Sequence, residues 1–152
     1  MRSEKEEIVF CADLPPRVHE SLKTLCCLAA HAGTLRAHEI ARSTGLPAAQ
    51  TAKILQWMTW AGFVQSRRGT KGGFWLVASP ENIRVSDVIA FFTRRDRQPE
   101  AGETDCVFEA LQRATARCQR EFKHITVADL VKRYQREQAK TLRREAAAVR
   151  RS

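Results

Sequence analysis

The feature that most constrains this chain runs from Arg36 to Leu76, "RAHEIARSTGLPAAQTAKILQWMTWAGFVQSRRGTKGGFWL". A two-turn helical run closes at Gly45, a strong C-terminal signal. A second run begins with Pro47 at a first-turn position, where the missing N–H costs little. It is expected to carry Ala52, Leu55, Met58 and Trp57 or Trp60 inward and to stop at Gly62. Two short helices joined by a glycine-containing turn are a helix-turn-helix signature. Then come "FVQS", a basic glycine-rich bend and "FWLVA". These are two β-prone runs about a loop too long for a two-residue turn, which predicts a hairpin. A helix-turn-helix followed directly by a hairpin is the winged-helix arrangement.

The bend "SRRGTKGG" has a rival reading as a phosphate cradle. A P-loop needs lysine and then serine or threonine after its last glycine, opening onto a helix. Here Lys71 precedes Gly72-Gly73 and a strand-like run follows. The three-glycine dinucleotide fingerprint is absent as well. A wing tip fits better. Glycines let the backbone turn and approach DNA closely. Arg67, Arg68 and Lys71, with Thr70 on the same loop, can neutralise phosphates or place one arginine in a narrow minor groove. Phe74 and Leu76 then anchor the returning strand on the core. On the second helix Pro47-Ala48-Ala49 offers only methyl contacts, so Gln50, Thr51 and Lys53 are the candidate base readers. Glutamine can pair two-fold with adenine. A solvated helix face is the alternative for Gln50 and Thr51, and Ser43 and Thr44 are candidates for phosphate.

Charge supports this reading. The net charge of +9 points to a polyanionic partner. From Gly33 to Leu76 six cations (Arg36, Arg42, Lys53, Arg67, Arg68, Lys71) face one acid, Glu39. From Val131 to Ser152 eight cations face two acids. Positive charge in two blocks favours nucleic acid over a uniformly solvated surface.

Around this module, residues 1–13 are polar and expected to fray, and "MRSEKEEIVFCADLPP" lacks the apolar stretch of a secretory signal. No apolar run approaches the roughly 20 residues that span a bilayer, so a soluble, cytoplasmic protein is expected. From Arg17 to His31, Val18, Leu22, Leu25, Cys26 and Ala29 recur at helical spacing. Cys26 and Cys27 lie in the apolar half of that helix, as buried structural thiols. "VSDVIAFF" is a short helix, and Thr93–Asp105 an exposed loop. Thr104 or Asp105 can cap a helix from Cys106 to about Lys123. On it Phe108, Leu111, Thr115, Cys118 and Phe122 form a narrow coiled-coil-like seam. A small winged helix has little to bury such a seam against, so it is expected to meet its own copy in a homodimer. The fold class is therefore mainly α with a small β-hairpin wing. The expected division is a winged helix-turn-helix domain over 14–92, the loop over 93–105, a dimerisation helix region over 106–130 and a basic helix or tail over 131–152.

The five cysteines, Cys11, Cys26, Cys27, Cys106 and Cys118, contain no C-x-x-C pair, which argues against a disulfide framework or zinc ribbon. No nucleophile–base set is legible, and His19, His31, His38 and His124 show no ligand spacing, so the chain is not read as an enzyme.

From about His19 to Leu130 the sequence resembles the Rrf-two (IscR/NsrR-like) family of bacterial winged-helix transcriptional regulators. The resemblance is carried by "HESLKTLCCLA", "EIARSTGLP", "AKILQWMTWAGFVQSRRGTKGGFWL", "IRVSDVIAFF", and "CVFEAL" leading to "ITVADL". It implies a homodimer joined through the long helix, bound to a palindromic operator in double-stranded DNA, with Arg68 reaching the minor groove. In several members the segment before that helix holds an iron–sulfur cluster through three cysteines and a fourth, non-cysteine ligand. Here only Cys106 aligns, as the last of the three. Glu109 stands where IscR-like members carry histidine, and His19 where some relatives use an acidic ligand on the first helix. Cys106, His19 and Glu109 are thus the metal or redox residues the resemblance implies. An iron–sulfur cluster on these residues, with Cys11 or Cys118, is one expectation and a redox- or iron–sulfur-responsive regulator its consequence; with two of the three cysteines absent, no cofactor is the favoured one. Cys106 near a helix N-terminus is also a candidate redox-sensing thiolate without metal, opposed by Asp105 and Glu109. The alternative function is a winged-helix protein- or RNA-interaction module with a basic tether and no sensor.

Overall fold

Proline and glycine cut this chain into elements before packing arranges them. The computed structural model describes residues 14–31, 33–94 and 106–149. Its helices are α1 (Pro16–Ala30), α2 (Ala37–Thr44), α3 (Ala48–Trp60), α4 (Val85–Arg94), α5 (Cys106–Phe122) and α6 (Val127–Val149). Strands β1 (Val64–Arg67) and β2 (Gly73–Leu76) lie between α3 and α4, followed by a 3-10 turn at Pro80–Asn82. Pro16 opens α1 and Pro47 immediately precedes α3, each where no helical N–H is missed. α2 stops at Gly45, whose N–H donates to Ala41 O at 2.9 Å.

α1 is the central element. It buries Val18, Leu25, Cys26, Cys27 and Leu28 and packs against α2, α3, α4, β2 and α6. Around it lie Ile40 of α2, Ile54, Leu55 and Met58 of α3, Val64 of β1, Val88 and Phe92 of α4, and Val127 of α6. Trp57 meets Phe92 edge-on, with ring centroids 5.7 Å apart.

β1 and β2 pair antiparallel, Val64 opposite Leu76 and Arg67 opposite Gly73. A third rung comes from the segment before α2. Leu35 N–H donates to Phe74 O at 3.0 Å, and Phe74 N–H returns to Leu35 O at 2.8 Å. It satisfies backbone groups that burial would otherwise leave open, and it ties the wing to the helix-turn-helix. A similar pair joins the starts of α4 and α6: Val85 N–H to Ile125 O and Val127 N–H to Ile83 O, both 2.9 Å. α6 begins with a reciprocal cap, in which Thr126 N–H donates to Asp129 Oδ2 at 3.0 Å and Asp129 N–H donates to Thr126 Oγ1 at 3.3 Å.

The structure bears out the mainly α winged-helix class and corrects several details. The inward face of α3 is Thr51, Ile54, Leu55 and Met58; Ala52 is exposed, Trp57 is half-buried and Trp60 is 61% exposed. The stripe follows Ile54, whose side chain gains far more from burial than the alanine methyl does. α4 runs to Arg94, two residues into the expected loop. The expected division at 130 falls inside the single helix α6, whose Val127 is fully buried in the common core. Residues 1–13, residues 95–105 with the expected caps Thr104 and Asp105, and the side chains of Phe108, Glu109, Leu111 and Thr115 lie outside those described. Of the expected dimer seam, Cys118 and Phe122 are half-buried, and Phe122 packs against the core of its own chain.

Candidate nucleic-acid interface

The wing loop is shaped by two close backbone approaches. A Cβ on Gly72 would lie 2.2 Å from Arg67 O, and one on Gly73 would lie 2.8 Å from Leu35 O. The pair "GG" is thus fixed by the hairpin's own return and by the third rung. With the tip closed by Gly72 N–H to Gly69 O at 2.9 Å, Arg67, Arg68, Thr70 and Lys71 all stand exposed. Arg36, at the start of α2, braces this tip. Its Nη2 donates to Thr70 O at 2.6 Å, while its backbone N–H donates to Glu39 Oε2 at 2.7 Å. Arg36, Arg67 and Arg68 consequently line one groove between α2 and the wing. Three guanidiniums beside an open groove are suited to phosphate, which they can meet with paired N–H donors. In the sequence Arg36 is one cation of the basic block, with no role of its own; only the bond to Thr70 reveals one.

The exposed face of α3 consists of Ala48, Ala49, Ala52, Lys53, Gln56, Thr59 and Trp60. Lys53 Nζ lies 5.0 Å from the Trp57 ring centroid, a cation–π contact that steadies the amine on the surface. Gln56 is absent from the candidate base readers, although it follows Ala52 and Lys53 at the four- and three-residue spacing that marks one helix face. Gln50 occupies the flank towards α1, half-buried, and its Nε2–H donates to Glu20 Oε1.

Two expected contact residues are corrected, and a third is found in other contacts. Thr51 is 0% exposed and its hydroxyl donates to Pro47 O at 3.1 Å. Thr44 is 1% exposed and donates to Ile40 O at 2.7 Å. Neither hydroxyl can reach nucleic acid. Ser43 is engaged by α6: its Oγ lies 3.3 Å from Tyr134 Oη, and its carbonyl accepts from Tyr134 O–H at 3.3 Å and Gln138 Nε2–H at 3.4 Å. These bonds hold α6 against the helix-turn-helix. The Cys27 thiol shares this cluster. Burial pushes its pKa up, partly offset by hydrogen bonds with Ser43 and Tyr134. Cys26 is pushed up to about 11 by burial first and by neighbouring Cys27 second. Both thiols therefore stay protonated at neutral pH.

Cys106 is exposed at the start of α5 and His19 is exposed on the first turn of α1. Among the described residues no three His, Cys, Asp or Glu side chains come together in a way that could hold a metal ion. Nor is any described helix long and apolar enough to cross a membrane.

Comparison with known proteins agrees with the geometry. The family model for Rrf2, an iron-dependent transcriptional regulator, matches residues 14–133. Among solved structures, IscR of T. potens superposes with a TM-score of 0.69 at 23% identity, over 83% of this chain and 90% of that one. CymR (YrzC), the global cysteine regulator of B. subtilis, gives 0.65 at 22% identity, over 79% and 96%. CymR of Staphylococcus aureus gives 0.61 at 21%, over 77% and 96%. No curated protein sequence matches the chain.

Proposed function

The chain belongs to the Rrf2 family of transcriptional regulators, and from that membership we propose that it acts as a homodimer reading a palindromic operator in double-stranded DNA. The observation that carries this reading is the braced wing: Arg67, Arg68, Thr70 and Lys71 exposed on a loop that Arg36 holds to the first helix of the helix-turn-helix. Lys53 and Gln56 on the open face of α3 supply side chains able to meet base edges in a major groove. The dimer is supported by α5. On it Phe108, Leu111, Thr115, Cys118 and Phe122 recur at three- and four-residue spacing, the pattern of a narrow helix–helix seam.

The test is Arg68→Ala against an operator obtained by sequencing genomic fragments that the protein retains. Removing an arginine that reads DNA specifically weakens binding by about 1–3 kcal/mol. Unchanged affinity would remove the wing from the interface. Fragments without a shared palindrome would instead favour a protein- or RNA-interaction module.

Any response to redox state is assigned to Cys106, the exposed thiol among those described. Iron and sulfide analysis of anaerobically purified protein, with DNA binding measured before and after a thiol oxidant in native and Cys106→Ala protein, decides the matter. Iron-free protein whose binding ignores the oxidant would leave a regulator without an intrinsic sensor.

A further inference from the structure

We propose that the distal half of α6 is a second nucleic-acid-binding surface, which holds the phosphates flanking the site read by α3 and the wing. The proposal rests on the DNA-binding reading above and adds to it a surface outside the winged helix. The docked face of α6 is Val127, Leu130, Val131, Tyr134 and Gln138, at three- and four-residue spacing. It ends where Gln138 donates to Ser43 O. Ser43 is the penultimate residue of α2, so α6 parts from the body at the turn between the two helices of the helix-turn-helix. Beyond Gln138, residues 139–144 and 146–148 are all exposed while the helix continues to Val149. At 1.5 Å per residue this carries it roughly 16 Å past Gln138.

The cations on this half are ordered. At 100° per residue, Arg136, Lys140, Arg143 and Arg144 fall within an arc of roughly 100° on the side away from the docked face. Glu137 borders the arc and pairs with Lys140 at 3.9 Å. Nearer the start of the helix, Lys132 and Arg133 face Asp129, whose carboxyl is held below its ordinary range by hydrogen bonds from Thr126 and then by these two cations. By sequence, residues 139–152 carry five cations and one acid, Glu145, against three cations and two acids over 127–138, so the charge left for a partner concentrates towards the projecting end. An interfacial membrane helix would need a broad apolar face opposite its cations, and Leu142 is the one large apolar side chain described beyond Gln138. A polyanion of regular charge spacing is the occupant this surface fits, and the adjacent helix-turn-helix already brings DNA to it.

The experiment compares the full chain with its Arg136→Gln, Lys140→Gln, Arg143→Gln, Arg144→Gln variant. All four positions are exposed, and circular dichroism verifies that the fold is retained. Binding is measured by anisotropy across a salt series on two duplexes. One ends at the edges of the palindrome, and the other is extended by about 10 base pairs, one helical turn, on each side. Each phosphate that the protein no longer neutralises makes the slope of log affinity against log salt shallower by about 0.9. With two subunits, a variant slope shallower by about 2 to 7 on the extended duplex and unchanged on the short one is expected. Equal slopes for both proteins on both duplexes would overturn the proposal, and so would an equal decrease on both, which would signal a general field effect. If the native chain does not prefer the palindrome to random sequence, it is the operator reading that fails. The α6 surface is then judged by the same length dependence on random duplexes.

Discussion

Gly73 is fixed by a neighbour outside its own hairpin. Its missing Cβ leaves room for Leu35 O, and that carbonyl closes the third rung of the wing. Gly73→Ala forces the two backbones apart and is expected to destabilise the fold by about 1–3 kcal/mol, read as a lower urea midpoint. An unchanged midpoint would mean that the rung contributes nothing. The same scale explains which site residues could be foreseen. The wing cations were legible because arginines on a glycine bend have little to bury against. Thr44 and Thr51 misled for a physical reason: a helical threonine can donate to the carbonyl four residues back, as both do here, and is then as buriable as valine. Nothing in a single sequence separates that state from an outward hydroxyl.

At the scale of elements, prolines and glycines made α1, α2 and α3 legible almost to the residue, while contacts distant in sequence stayed hidden. The Leu35–Phe74 rung is one residue long and has no strand pattern to announce it. The hold of Tyr134 and Gln138 on Ser43 joins residues 91 and 95 positions apart. The cap of α6 gives a prediction. Thr126→Ala removes a side-chain cap and is expected to cost about 1 kcal/mol in thermal unfolding at neutral pH. Asp129 belongs to the same cap, with its pKa below the ordinary value. Its contribution is present above the unfolded pKa and lost as pH falls through the folded one. The stability gap between native and Asp129→Asn protein therefore narrows in acid, and a gap that widened as pH fell would contradict the assignment.

For the whole molecule, the decisive division lies within α6 rather than between domains. A chain ending at His124 loses the buried Val127 and the half-buried Leu130, Val131 and Tyr134. Its thermal midpoint should fall by at least ~6 °C, since each kcal/mol is worth about 3 °C at this size. A chain ending at Gln138 keeps every docked residue and should stay within about 2 °C of native. An equal fall in both chains would mean that the projecting half also supports the fold. The open face of α3 has a consequence of another kind. Ala48, Ala49 and Ala52 stand exposed in its N-terminal half and take no part in the core. Replacing them costs only a few tenths of a kcal/mol in helix propensity. Under the binding mode proposed above, exchanging these three letters is expected to change which sequences are bound, with the architecture beneath left untouched.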